Sequence, residues 1–209
     1  MRTQEDGRRA PFRPDRREQI LLAAEQVLAE EGMAAVSVRA VAERAGLGAS
    51  TLRYWFPSQD QLVTALARRQ LHPHLEDRRI SDPGVPAAER LLECLQQFVV
   101  TSDPEDLPSA LDHWAVMVSL AVGPHATPLG RATYAGFVEA AAERVEGWLA
   151  VLVTEGALPA ERVSLAVPAL LTRVDGLALG MLRPASPLDV GTALDVLRED
   201  VAWVLRPPG

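Results

Sequence analysis

Few residues of this chain are spaced for covalent or metal chemistry. The histidines are His72, His74, His113 and His125, and the one cysteine is Cys94. A helical metal site wants two histidines a turn apart with a carboxylate between them, and no HExxH-like spacing is present. His72 and His74 flank Pro73, so their rings need not converge. His113 follows Asp112, and adjacent residues on a helix do not face one another. No serine has a context that suggests a Ser-His-Asp arrangement. Cys94, among Leu91, Leu92 and Leu95, reads as a small buried hydrophobe. The glycines are scattered and form no phosphate-cradling loop. These residues predict no catalytic group, no metal and no cofactor, and hence a chain that is not an enzyme.

Recognition chemistry is better represented. The run Gly48-Ala49-Ser50-Thr51 leads a short segment that also carries Arg53, Tyr54 and Trp55. Small leading residues let a backbone approach another surface closely. Arg53 is the one basic residue between Leu47 and Pro57. A guanidinium can grip a guanine edge through two hydrogen bonds or hold a phosphate, and both roles stay open. On a helix Arg53 and Trp55 point away from apolar Leu52 and Phe56. Tyr54, flanked by those two residues, reads as packing, with a hydroxyl that could still reach phosphate. Ser37 and Arg39 stand at a helix start, where backbone N–H groups, a hydroxyl and a guanidinium together suit phosphate. Larger apolar side chains gather later, at Phe98, Trp114, Met117, Tyr134, Phe137 and Trp148, with Asp112 and His113 among them. They are either an ordinary core or the walls of an apolar pocket.

The elements that position these residues are helices. Asp15 and Glu18 have the spacing of a capping box, and Ile20, Ala24, Val27 and Leu28 follow helical periodicity up to Gly32. Ser37 caps the next segment, which Gly46 stops. Pro57 closes the third, because the residue before a proline is pushed out of helical geometry. A helix, the turn Gly46-Leu47-Gly48 and a two-turn helix make a helix-turn-helix core over 37–56, whose rival reading is a corner of an all-α core. Helical stripes then continue to the end without strand-like alternation, about nine helices in all. Pro159 opens one running to about 182 with Pro168 inside it, and Pro187 opens the last, to about 205. Both are apolar enough to build a four-helix bundle with a second copy, and Gly176, Ala178 and Gly180 would let a partner helix come close. The division expected is an Arg-rich flexible arm (1–14), a first domain (15–58) and a second (59–209).

The 209 residues include 21 arginines, no lysine and 28 acidic residues, a formal charge of −7. That balance argues against a nonspecific nucleic-acid coat. The charge is uneven: residues 1–57 hold 9 arginines and 8 acids, and the rest hold 12 and 20. The arm, with Arg2, Arg8, Arg9 and Arg13, suits either a minor groove or solvent. A single cysteine and no visible signal peptide point to the cytoplasm. Val163–Leu182 is the most apolar stretch, but Arg173 and Asp175 near its centre argue against a membrane span.

Residues Ile20 to Leu62 resemble the DNA-binding domain of the TetR family of transcriptional regulators. The resemblance rests on Gly32, on Ser37-Val38-Arg39, on Ala45-Gly46-Leu47, on Thr51-Leu52, on Tyr54 and on Phe56-Pro57-Ser58 at fixed spacing. It implies a homodimer that binds a near-palindromic double-stranded DNA operator through Ser37, Arg39, Gly48, Ala49, Ser50, Thr51, Arg53, Tyr54 and Trp55. It also implies a helical ligand-binding and dimerisation domain behind, with a small apolar effector among Phe98, His113, Trp114, Met117, Tyr134, Phe137 and Trp148. The implied protein is a cytoplasmic repressor released from DNA by that effector. The alternative is an all-α small-molecule-binding protein or enzyme without DNA binding. Four positions depart from the family pattern. Gly48 stands where a Ser or Thr cap is common, and Arg53 where an aromatic is usual. Trp55 replaces a His, and Gln59 a Lys, that touch phosphate in the family.

Overall fold

The structure is a computed structural model, and it describes residues 15–71, 74–100, 104–183 and 186–206. The expected arm and the pair His72-Pro73 lie outside the described residues. Among the described residues there are nine α-helices and no strands. They are α1 (Arg16–Glu31), α2 (Val38–Arg44), α3 (Ala49–Trp55), α4 (Gln59–Leu71), α5 (Ala87–Leu95), α6 (Leu107–Ala121), α7 (Pro128–Thr154), α8 (Val163–Leu182) and α9 (Val190–Leu205). The chain forms two compact units, Met1–Leu62 and Val63–Gly209, dividing within α4.

In the first unit α1 buries Ile20, Leu21, Ala23, Ala24 and Val27, and α2 adds Val41 and Ala42. Asp15 precedes α1, but its side chain makes no capping bond, so the capping box read from the sequence does not form. The first turn is closed instead by the backbone of Asp15, whose carbonyl accepts from Gln19 N at 2.9 Å. Gly32 ends α1 at φ 83°, a conformation costly for any residue with a Cβ.

The second unit is built on a core of α5, α7, α8 and α9. Leu91, Leu95, Val145, Trp148, Leu149, Leu152, Leu170, Leu197 and Val201 are among its buried members. Two helix starts differ from expectation. After Pro159 comes a short 3₁₀ turn, Ala160–Arg162, and α8 begins at Val163. The last helix begins at Val190, where the Asp189 carboxylate accepts from Thr192 N at 2.7 Å. An anionic side-chain acceptor satisfies the free N–H groups of the first turn, which Pro187 cannot do. The same logic starts α7: Thr127 Oγ1 accepts from Gly130 N at 2.9 Å, with Pro128 in the first turn.

Arg90 is buried and paired. Its guanidinium donates to the carbonyl of Ile80 and to both carboxylate oxygens of Glu155, at 3.0 and 2.5 Å. This bond pattern holds Arg90 charged, and it holds the Glu155 carboxyl below the usual carboxylate range.

The part of α4 within this unit lies tightly on α7. Thr64 Oγ1 donates to Ala132 O at 3.0 Å, and Arg68 pairs with Glu143 at 2.6 Å. Gly136 makes the approach possible. A Cβ there would overlap the carbonyl oxygen of Thr64 and come within 2.8 Å of Ala67 Cβ. Backbone cannot give way as a side-chain tip does, so Gly136→Ala should cost about 1–3 kcal/mol. Gly147, on the same helix with nothing within 4 Å of the added carbon, is the control. Gly147→Ala should stabilise by about 0.5–1 kcal/mol through lost chain entropy. Urea midpoints at constant slope measure both.

Candidate functional site

The turn between α2 and α3 sets the site. The N–H of Leu47 bonds Ala42 O at 2.8 Å, and the N–H of Gly46 bonds Glu43 O at 3.1 Å. This is the Schellman pattern, and it requires Gly46 at φ 65°. Gly48 follows in extended geometry and precedes Ala49 as the helix cap, with no side chain to accept a bond. Its carbonyl accepts from Thr51 N and Leu52 N. The start of α3 is therefore open backbone flanked by small side chains.

Only seven residues long, α3 buries Leu52, and Phe56 just beyond it is also buried. The guanidinium of Arg17 from α1 lies 5.2 Å from the centre of the Phe56 ring. Residues on the other side are free. Gly48, Ala49, Ser50, Thr51, Arg53 and Tyr54 are exposed, and Trp55 is half-buried. Tyr54 is 80% exposed, which corrects the packing role read for it. Leu52 and Phe56 are one helical turn apart and share a face, and the residue midway between them must point the opposite way. Its ring meets Trp55 edge-on at 5.5 Å, so the two aromatics brace one another at the surface.

The second half of the site is the start of α2. Ser37 Oγ accepts from Ala40 N at 3.2 Å, and Arg39 is exposed. Gln59, read as a lost phosphate contact, has an internal role: its Nε2 donates to Val36 O at 3.0 Å and ties the start of α4 to the residue before the Ser37 cap. That bond was not legible, because 23 residues separate its ends. Among the described residues Arg39 and Arg53 form no ion pair, whereas Arg44 is held by Glu30 at 2.8 Å and Glu31 at 3.4 Å. Two uncommitted guanidiniums, one on α2 and one on α3, thus accompany the open end of the short helix.

The residues expected at an effector site fall into three groups. Trp148 is buried in the core, its Nε1 donating to Asp77 Oδ1 at 2.9 Å, and Phe98 meets it edge-on at 6.2 Å. Trp148 also borders a cavity of about 230 Å³ with Asp77, Glu143, Arg144 and Val151. Trp114 and Met117 on α6, and Tyr134 and Phe137 on α7, are half-buried. His113 is exposed, within 3.5 Å of Ser109 Oγ one turn back, so its assignment to an enclosed pocket is corrected. Asp175, which drew no binding role from the sequence, is half-buried on α8 and accepts a hydrogen bond from the Tyr134 hydroxyl. Burial pushes both groups' pKa values up, and the Tyr134 bond partly offsets the rise at Asp175. Cys94 is buried, and desolvation, aided by Asp77 and Glu93, pushes its thiol up to about 12.

A short exposed helix set by a glycine turn, with cations beside its open end, defines a helix-turn-helix protein. Residues 20–66 match the family model described as "Bacterial regulatory proteins, tetR family", so the N-terminal domain is similar to the DNA-binding domain of that family. The chain is 36% identical over 91 residues to the HTH-type transcriptional regulator PksA of Bacillus subtilis (strain 168), covering 42% of this chain and 43% of that protein. It is 37% identical over 95 residues to the HTH-type transcriptional repressor KstR of Rhodococcus jostii (strain RHA1), covering 45% and 44%. The match thus spans less than half the length of either relative. The fold extends further. A transcriptional regulator from Rhodococcus sp. Rha1 superposes with a TM-score of 0.51 at 22% identity, over 91% of this chain and 96% of its own. A TetR transcription regulator from Haloarcula marismortui ATCC 43049 gives 0.51 at 20%, over 91% and 98%.

The Ser37 cap allows a direct test of how the site is held. Ser37→Ala should lower stability by about 1 kcal/mol, and Ser37→Asp, which keeps an acceptor at the cap, should restore it. Thermal melts of the two variants beside the parent chain measure the difference.

Proposed function

We propose that this chain is a homodimeric transcriptional regulator that reads a near-palindromic operator and is released by a small molecule. The observation that carries the reading is the exposed set Gly48–Thr51 and Arg53, open at its start, with the guanidiniums of Arg39 and Arg53 forming no ion pair among the described residues. A major groove admits one helix, whose first residues meet base edges. Ser37, Arg39, Tyr54 and Trp55 then contact the backbone on either side. A repressor is the favoured form, because one relative of the matched domain is a repressor. The site of action is the cytoplasm. An enzyme has less support, since the buried Cys94 thiol is held protonated and the exposed His113 has only a serine beside it.

The dimer rests on α8 and α9. Leu165, Pro168, Thr172, Gly176 and Leu179 are exposed at three- and four-residue spacing along α8, and Trp203 on α9 is 43% exposed. Of the three small residues expected to admit a partner helix, Gly176 alone faces out. Ala178 is buried, and Gly180 is filled from within its own unit, where a Cβ would meet Leu188 Cδ2 at 2.5 Å. The stretch 160–182 is long and apolar enough to cross a membrane by composition, with one third of its most apolar window buried in the chain. A second copy covers that surface while leaving Arg173 paired with Asp200, 2.6 Å away, at the edge. Sedimentation at micromolar concentration should give twice the chain mass. Leu179→Glu should give a monomer of unchanged helicity; a dimer that survives it would place the interface elsewhere.

Operator reading is tested at Arg53. If it grips guanine, Arg53→Ala should cost about 1–3 kcal/mol per half-site and relax preference at one base pair, twice per operator and symmetrically. If it holds phosphate, affinity should fall about equally on all sequences, with a salt slope shallower by about one charge per half-site. Titrations on operators carrying each base in turn separate the two. Unchanged affinity throughout would show that α3 does not dock as proposed.

A further inference from the structure

Asp175 is the one acidic residue of α8, a helix otherwise apolar but for Ser164, Thr172 and Arg173. Its neighbour Val174 is buried, as are Leu177 and Ala178. Arg173, two positions earlier, turns outward and is neutralised by Asp200. Asp175 is half-buried instead, and among the described residues no cation pairs with it. Its bonded partner is the neutral hydroxyl of Tyr134 on α7. A half-buried carboxylate with only a neutral donor is an electrostatic cost that folding alone does not require.

The surroundings suit a particular ligand. Helix α6 packs against both α7 and α8, the two helices that the Tyr134–Asp175 bond joins. Trp114 and Met117 lie on α6, and Phe137 follows Tyr134 by three residues, on the same side of α7. All are half-buried and stand apart from the core cluster around Trp148. Aromatic faces and a polarisable sulfur attract cations as well as hydrocarbon, and a carboxylate in a poorly solvated place supplies the counter-charge.

We propose that Asp175 is the charge-recognising group of the effector site, and that the effector is an apolar molecule carrying a cationic nitrogen. The ligand's nitrogen sits against the Asp175 carboxylate, Tyr134 holds that carboxylate in place, and the aromatic side chains of α6 and α7 take the hydrocarbon. This deepens the regulator reading above and rests on it for the consequence of binding, not for the binding itself.

The test uses the full chain without DNA and three probes of one chain length below micelle formation: decyltrimethylammonium, 1-decanol and decanoate. Calorimetry should show the cation binding at least about tenfold more tightly than decanol, and decanoate more weakly than either. Asp175→Asn should bring the cation to the level of decanol and leave decanol within about twofold. Tyr134→Phe keeps the carboxylate but removes the group that holds it, and should lower the cation preference without abolishing it, so it serves if Asp175→Asn does not fold. Equal binding of the three probes, binding of none, or a preference that survives Asp175→Asn would overturn the proposal, as would an unchanged preference in Tyr134→Phe. Operator binding is measured separately: if it is absent while the cation preference holds, the regulator reading fails and this one stands.

Discussion

The exposed face of α3 depends on two side chains, Leu52 and Phe56, that point away from it. A helix of seven residues is too short to persist in water, because nucleation fixes several residues before any bond repays the cost. Helix α3 exists where it does because these side chains are sequestered against the helices before it, and because the Gly46 turn delivers the chain at the right angle. With the apolar residues one turn apart on the inner face, every polar or small residue between them is driven outward. The exposed set at 48–51, 53 and 54 is thus a by-product of burying its complement. A single constraint serves stability and presentation together.

The same division recurs at the start of α2. The hydroxyl of Ser37 is spent on Ala40 N, and the Gln59 amide clamps Val36 from the far side. Arg39, in the first turn of α2, is exposed and forms no ion pair among the described residues. The glutamine thus adds rigidity where α2 begins.

Much of the first unit was legible because its signals are local. Ser37 with Ala40, Gly46 with Glu43, and Phe56 before Pro57 lie within a few residues of each other, and periodicity carries the rest. What could not be read was set by longer range or by competing acceptors. Asp15 has the residue type and spacing of a cap, yet the bond is not made. Asp189 has only the type, and it starts α9 two residues beyond the proline that seemed to do so. Tyr54 was misread by a local argument as well: flanking by apolar residues is a strand-like criterion, and on a helix it predicts the reverse. In the second unit the sequence grouped the larger apolar side chains together and could not divide Trp148 and Phe98, tied to the core, from Trp114, Met117, Tyr134 and Phe137, which stand apart from it.

That division bears on how a ligand could act on this fold. A core built around Trp148, Leu149 and Leu152 tolerates little change in volume, because close packing transmits any insertion as strain. The half-buried cluster of α6, α7 and α8 is under no such restriction, and it contains a polar pair whose burial is only partly compensated. A ligand that completes that pair gains interaction free energy in one arrangement of the helices and less in any other. This differential is the requirement for shifting a population between two states. Helix α7, which carries Tyr134, is also the helix against which Thr64, Ala67 and Arg68 of α4 lie at the closest spacing a glycine allows. Close packing of this kind transmits strain, so a shift of α7 at Gly136 would be felt by the part of α4 that lies on it.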